Sequence, residues 1–197
     1  MTPGPDAPEV RVLCEGYVVR NGSRVLDASS TVTLVISDEC IAVVDTGSPF
    51  RSKELRKALA EADIAESEVD FVINTHLHLD HCGGNDIFTE ASQLAHRLEQ
   101  PPVGSMKVED GHKVARSVSI RGTPGHTIGS ISVLVDSDVR YAICGDAIPT
   151  RANYEARVPP AIHIDRRLAV ESMEGLIRWA DVIVPGHDAP FETLGKR

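Results

Sequence analysis

The chain has 197 residues, 42% of them hydrophobic, with a formal net charge of −9. That length and composition suit one compact core and exclude a disordered or low-complexity chain. The negative balance argues against broad, nonspecific contact with nucleic acid or anionic membrane, while leaving room for a local basic pocket.

Residues 1–9 are Pro-rich and polar at their start and read as a flexible N-terminal arm; residues 10–197 read as a single domain. The start lacks the basic end and apolar core of a signal peptide. No apolar run approaches the roughly 20 residues of a membrane span. Cys14, Cys40, Cys82 and Cys144 lie far apart with no C-x-x-C pair, which fits free thiols in a reducing, cytoplasmic setting. Val10 to Val19 is β-prone and Asn21-Gly22-Ser23 is a turn signal. Thr31–Ile36 and Cys40–Val44 predict a hairpin of a largely antiparallel sheet, ending at Asp45-Thr46-Gly47. Ser48 and Pro49 introduce a helix with Leu55, Leu59 and Ala62 on one face. Phe71–Ile73 predicts a strand that ends at His76.

Asp86–Ala91 reads as a short helix and Leu94–His96 as a short strand. His112–Gly122 reads as one strand ending at Thr123-Pro124-Gly125-His126. Ser130–Val135 and Val139–Ile143 predict a hairpin ending at Gly145-Asp146. Thr150–Pro160 reads as irregular. Asp165 can cap a helix whose stripe includes Leu168, Met173, Leu176 and Ile177. Val182–Val184 predicts a last strand before Pro185-Gly186-His187. Asp45, His76, His126, Asp146 and His187 thus each follow an apolar strand-like run, where polar side chains can converge without entering the core.

Thr75-His76-Leu77-His78-Leu79-Asp80-His81 carries three imidazoles and a carboxylate within six positions, a density that packing does not explain. Imidazole and carboxylate suit zinc and similar ions. Four local ligands crowd one open site; two ions about 3.5–4 Å apart use them better, given a bridging carboxylate and two more imidazoles. Asp146, His126 and His187 are of the right type. His96 and His112 read as ordinary histidines. His163, just before a helix, and Tyr154 are candidates for lining a substrate pocket. Arg151, Arg157, Arg166 and Arg167 read as solvated surface rather than a phosphate-binding rim.

These motifs in this order, with Asp45-Thr46-Gly47, resemble the motif set of the metallo-β-lactamase superfamily over roughly Val10 to Phe191. The resemblance implies an α/β (α+β) fold, an αββα sandwich with metals in a cleft along the sheet edges. It assigns His76, His78 and His126 to one ion, Asp80, His81 and His187 to a second, and Asp146 to a bridge. Asp45 would accept hydrogen bonds that hold the histidine loop. Two divalent ions are expected, zinc first, with iron or manganese as alternatives. They would activate a water that Asp80 orients or deprotonates, against an ester, lactone, thioester or phosphodiester.

Asp146, where the best-known zinc β-lactamases resemble one another in having Cys, argues against antibiotic hydrolysis. The compact chain is similar to metallo-β-lactamase domain-containing protein 1 and its small prokaryotic relatives, whose animal member is linked to RNA 3′-end processing. An RNA-cleaving nuclease is therefore one alternative. A mononuclear iron persulfide dioxygenase is another, and a metal-binding protein without turnover a third. A small-molecule substrate is expected, RNA is the other candidate partner, no membrane is involved, and self-association is left open.

Overall fold

The computed structural model describes residues 7–22 and 24–193. One six-stranded sheet runs in the order β1 (Glu9–Cys14), β4 (Val32–Ile36), β5 (Ile41–Val44), β6 (Phe71–Ile73), β7 (Ser92–His96), β8 (Met106–Val108). The other runs β14 (Phe191–Glu192), β13 (Val182–Val184), β12 (Arg140–Ile143), β11 (Ile131–Asp136), β10 (Val118–Gly122), β9 (Lys113–Ala115). A separate ribbon pairs β2 (Tyr17–Asn21) with β3 (Arg24–Ser29). The helices are α1 (Ser52–Glu61), α2 (Leu79–Cys82), α3 (Arg151–Ala156) and α4 (Arg166–Trp179).

Strand alternation builds the layers. In β4, Val35 faces the opposite sheet while Leu34 faces α1; in β5, Ala42 and Val44 face inward and Val43 outward. Between the sheets, Val35, Val44, Ile73 and Leu94 meet Val118, Ile120, Ile131 and Val133. On one outer face, Leu55 and Leu59 of α1 cover Leu34, Val43 and Val72. On the other, Met173, Leu176 and Ile177 of α4 cover Leu134, Ala142 and Ile183. Each fully buried Val, Leu, Ile or Met among them contributes about 1.5–3 kcal/mol. The result is the αββα sandwich that the resemblance implies.

The first sheet is mixed rather than largely antiparallel. The β4–β5 hairpin is antiparallel as expected, but β5 to β8 are parallel. The α1 crossover between β5 and β6 accounts for the change, since parallel neighbours need a long connection. His112–Gly122 is two strands, β9 and β10, joined by a turn. Asp86–Ala91 is reduced to a single 3-10 turn at Asn85–Ile87.

Thr150–Pro160 is not irregular throughout. Thr150 Oγ1 accepts the Asn153 N–H (3.3 Å), which starts α3, and Arg157 ends it at φ 53°. Asp165 caps α4 as expected, its Oδ1 accepting the Leu168 N–H at 3.0 Å.

Residues 1–6 of the expected arm lie outside the described residues. Pro8 is tied down, its carbonyl accepting from Ser137 Oγ at 2.7 Å, and Glu9 already opens β1. Among the described residues no helix is long and apolar enough to cross a membrane.

Candidate metal centre

Parallel pairing puts the ends of β5 and β6 on one edge of the first sheet, and the ends of β12 and β13 on one edge of the second. Asp45, His76, Asp146 and His187 follow these four ends. His126 follows β10, which runs with β12 because both pair antiparallel with β11. His78 stands extended at the start of α2 (φ −68°, ψ 145°), and the helical turn carries Asp80 and His81 to another side. Gly145 permits the close approach of this edge to the histidine loop: at φ +49°, a Cβ there would lie 2.4 Å from Thr75 Oγ1.

The donors gather in three overlapping groups. His76, His78 and His126 form one, Asp80, His81 and His187 another, and His76, His81 and Asp146 a third, with ligand atoms inside each group within 4.8 Å of one another. His78 Nδ1 is 3.0 Å from both His76 Nε2 and His126 Nε2. His81 Nε2 is 3.3 Å from His187 Nε2, and Asp80 Oδ2 is 3.7 Å from His187 Nε2. Asp146 lies between: Oδ2 is 3.4 Å from His126 Nε2, and Oδ1 is 3.2 and 3.4 Å from the Nε2 atoms of His187 and His81.

The outer nitrogens fix what the inner ones offer. His126 Nδ1 is 2.7 Å from the Ile162 carbonyl and His187 Nδ1 is 3.0 Å from the Ser29 carbonyl. A carbonyl only accepts, so each Nδ1 carries the proton and each Nε2 presents a lone pair when the ring is neutral. His81 Nδ1 likewise donates to Asp45 Oδ2 at 2.7 Å. With both rings neutral, as metal binding requires, lone pairs of His81 and His187 face each other beside the buried Asp146 Oδ1, which has no hydrogen-bond partner. Electron pairs converging on a buried carboxylate oxygen repel one another, and a cation among them resolves the conflict. The donor set thus fits divalent metal.

Asp45 is the hub beneath. Its Oδ1 accepts the Thr75 N–H (2.8 Å), and its Oδ2 accepts Thr75 Oγ1 (2.7 Å) as well as His81 Nδ1. It holds this position at φ 54°, a left-handed conformation that Asp tolerates better than most residues.

Burial, reinforced by His81, holds the His76 pKa well below the ordinary imidazole value; burial and then His126 lower that of His78. Burial also opposes charge on His81, but Asp45 and Asp146 together raise it. Asp146 stays well below the carboxylate range because contacts with His187 and His81 outweigh its burial. The four cysteines are free thiols; burial pushes up the pKa of each, Cys82 and Cys144 included.

Sequence motifs did not reveal Ser29-Ser30-Thr31. The Ser29 carbonyl holds His187, Ser29 Oγ accepts the Ser48 N–H (2.9 Å), and Ser30 N–H donates to the Asp80 carbonyl (2.8 Å). Thr31 N–H donates to the Gly186 carbonyl at 2.6 Å. Three ligand-bearing or ligand-supporting loops are stitched by one short link. Small hydroxyl residues before a strand carry no motif, so only tertiary contact exposes the role.

A cavity of about 370 Å³ opens over His78, Asp80, His126, Asp146 and His187. The β2–β3 ribbon supplies one wall through Val18, Arg20, Leu26 and Asp27; Phe50, Leu79, Pro149 and Ile162 supply others. Neither proposed pocket residue is on the wall. Tyr154 is buried against Phe191, with ring centroids 4.8 Å apart, because α3 turns it into the α4-side core. His163 is turned away with Nδ1 on the Pro160 carbonyl at 2.7 Å, while its neighbour Ile162 lines the cavity. Arg151, Arg157 and Arg167 form ion pairs with Glu155, Glu174 and Glu171. None of these, nor Arg166, lines the cavity.

Residues 26–118 match the family model described as metallo-beta-lactamase superfamily. The chain is 35% identical over 181 residues to "Probable metallo-hydrolase MJ0296" of Methanocaldococcus jannaschii, covering 91% of this chain and 86% of that protein. It is 29% identical over 207 residues to metallo-beta-lactamase domain-containing protein 1 of Xenopus laevis, covering 96% and 84%. Among solved structures it resembles an N-acyl homoserine lactone hydrolase with its product N-hexanoyl-L-homoserine bound at the catalytic metal center. That likeness has a TM-score of 0.72 at 20% identity over 93% of both chains, and it bears on the fold. With the fold, the ordered motifs and a relative matched over most of its length, the chain belongs to the metallo-beta-lactamase superfamily and is a hydrolase of that fold.

Proposed function

We propose that this hydrolase holds two divalent ions, zinc in type, and cleaves a small carboxylic ester or lactone that carries an apolar substituent. The observation that carries the two-ion reading is the placement of Asp146, with Oδ2 toward His126 and Oδ1 toward His81 and His187. His76, His78 and His126 would hold one ion, Asp80, His81 and His187 the other, and Asp146 both. Divalent ions held there would supply a Lewis acid for a substrate oxygen and would bring the pKa of a water toward about 7.

The remaining work falls to the chain. Asp80 is partly exposed on the cavity wall, and in this reading it would orient the attacking water and carry its proton toward the leaving oxygen. Asp45 keeps His81 in the tautomer that aims Nε2 inward. The rim selects the substrate. Leu26, Phe50, Leu79 and Ile162 are 56, 92, 66 and 53% exposed, four large apolar side chains left in solvent around one cavity. They suit an alkyl or aryl group. Among the described residues lining that cavity, Arg20 is the only Lys or Arg, too few for a polyanionic strand.

The test is turnover by purified protein on a panel of alkyl-substituted lactones, thioesters and single-stranded RNA. Turnover of the lactones without RNA cleavage is the expected result. RNA cleavage with no ester or lactone turnover overturns the substrate reading.

A further inference from the structure

Glu99 ends the 3-10 turn Arg97–Glu99 that follows β7, well away from every motif in the sequence. Its Oε2 accepts the N–H of Leu77 at 3.1 Å, the residue between His76 and His78. Its Oε1 accepts from Thr127 Oγ1 at 2.6 Å and from the Gly129 N–H at 3.0 Å, just beyond His126. One side chain therefore joins the two loops that carry the three imidazoles of one group. We propose that Glu99 is a positioning residue that sets the His76, His78 and His126 group by tying those loops together.

The chemistry of the contacts calls for a carboxylate. All three partners are donors, and they approach both oxygens, so both ends of the group must accept. A glutamine offers one accepting oxygen and one donating nitrogen; whichever way it turns, an N–H faces another donor. Thr127 is itself oriented: its N–H donates to Ser130 Oγ (3.1 Å), and the two hydroxyls are 2.7 Å apart. Among the described residues Glu99 forms no ion pair, so neutral donors account for its placement; Arg97 beside it pairs with Glu109 instead. Gly129 makes room. A Cβ there would lie 2.7 Å from Glu99 Oε1 and 2.8 Å from the Glu99 backbone nitrogen.

This inference rests on the two-ion reading, and cobalt(II) titration of the metal-stripped full chain separates the two. Wild type should show two binding steps. Glu99→Gln should weaken one step by about 10–100-fold, the usual cost of losing support for a ligand, and leave the other within about threefold. The visible spectrum of the weakened site should change, while circular dichroism stays that of the wild type. Thr127→Val, which removes one donor to Oε1 and leaves the carboxylate in place, should weaken the same step, and it decides the matter if Glu99→Gln does not fold. Unchanged steps in both variants, or equal weakening of both steps, overturns the proposal. If wild type takes up only one cobalt ion, the two-ion reading fails and this inference fails with it.

Discussion

Three of the five imidazoles at the centre, His81, His126 and His187, are aimed by their outer nitrogens. Ile162 and Ser29 do this with carbonyls, Asp45 with a carboxylate, and the three inner lone pairs follow from those acceptors. Asp45→Asn keeps a residue that tolerates φ 54° but weakens the acceptor that holds His81 and two Thr75 donors. Metal affinity should fall about 10–100-fold with little change in the far-ultraviolet circular dichroism; calorimetric zinc binding at the wild-type affinity would refute the role. At this scale the ligand-type residues were legible because chemistry restricts which side chains can do the work. The carbonyls of Ile162 and Ser29 were not, since every residue has one and only folding selects which is used.

At the scale of elements, strand ends carry the chemistry and small connectors hold it. The hairpin of β4 and β5, the α1 stripe and the α4 cap were readable from periodicity and capping residues. Misread elements share a different physics. α3 is only six residues and depends on the Thr150 cap and on packing of Tyr154 over Phe191, so tertiary contact outweighs its weak local signal. That packing makes Tyr154 a structural residue. Tyr154→Ala should cost about 3–5 kcal/mol of stability, read as a lower denaturation midpoint, while KM of the folded fraction stays unchanged; a raised KM with unaltered stability would restore Tyr154 to the pocket.

The β2–β3 ribbon belongs to neither sheet and closes the cavity from one side, with Leu26 exposed on it. Leu26→Asp leaves the core untouched and places a charge on the apolar wall. KM for an alkyl lactone should rise several-fold, with kcat changing far less and the melting temperature staying near that of the wild type. An unchanged KM would remove the ribbon from substrate binding. The ribbon's role was not legible in the turn signal Asn21-Gly22-Ser23, which marks a hairpin without saying where it docks.

The whole molecule is two sheets whose strand ends open on a shared edge, with α1 and α4 outside. That architecture brings residues from Asp45 to His187 into one cluster, so the site exists only when both sheets are packed together. The αββα layering was legible through the ordered motifs and not through strand composition alone, since short strands such as β8 and β14 carry too little pattern to be recognised. The central claim is that Asp146 joins two metal sites in one chain. Elemental analysis of dialysed wild type and Asp146→Ala tests it most directly. Two divalent ions per wild-type chain, with metal and turnover lost together in the variant, is the predicted result; a single iron with oxygen uptake on a persulfide, or two ions retained by Asp146→Ala, would contradict it.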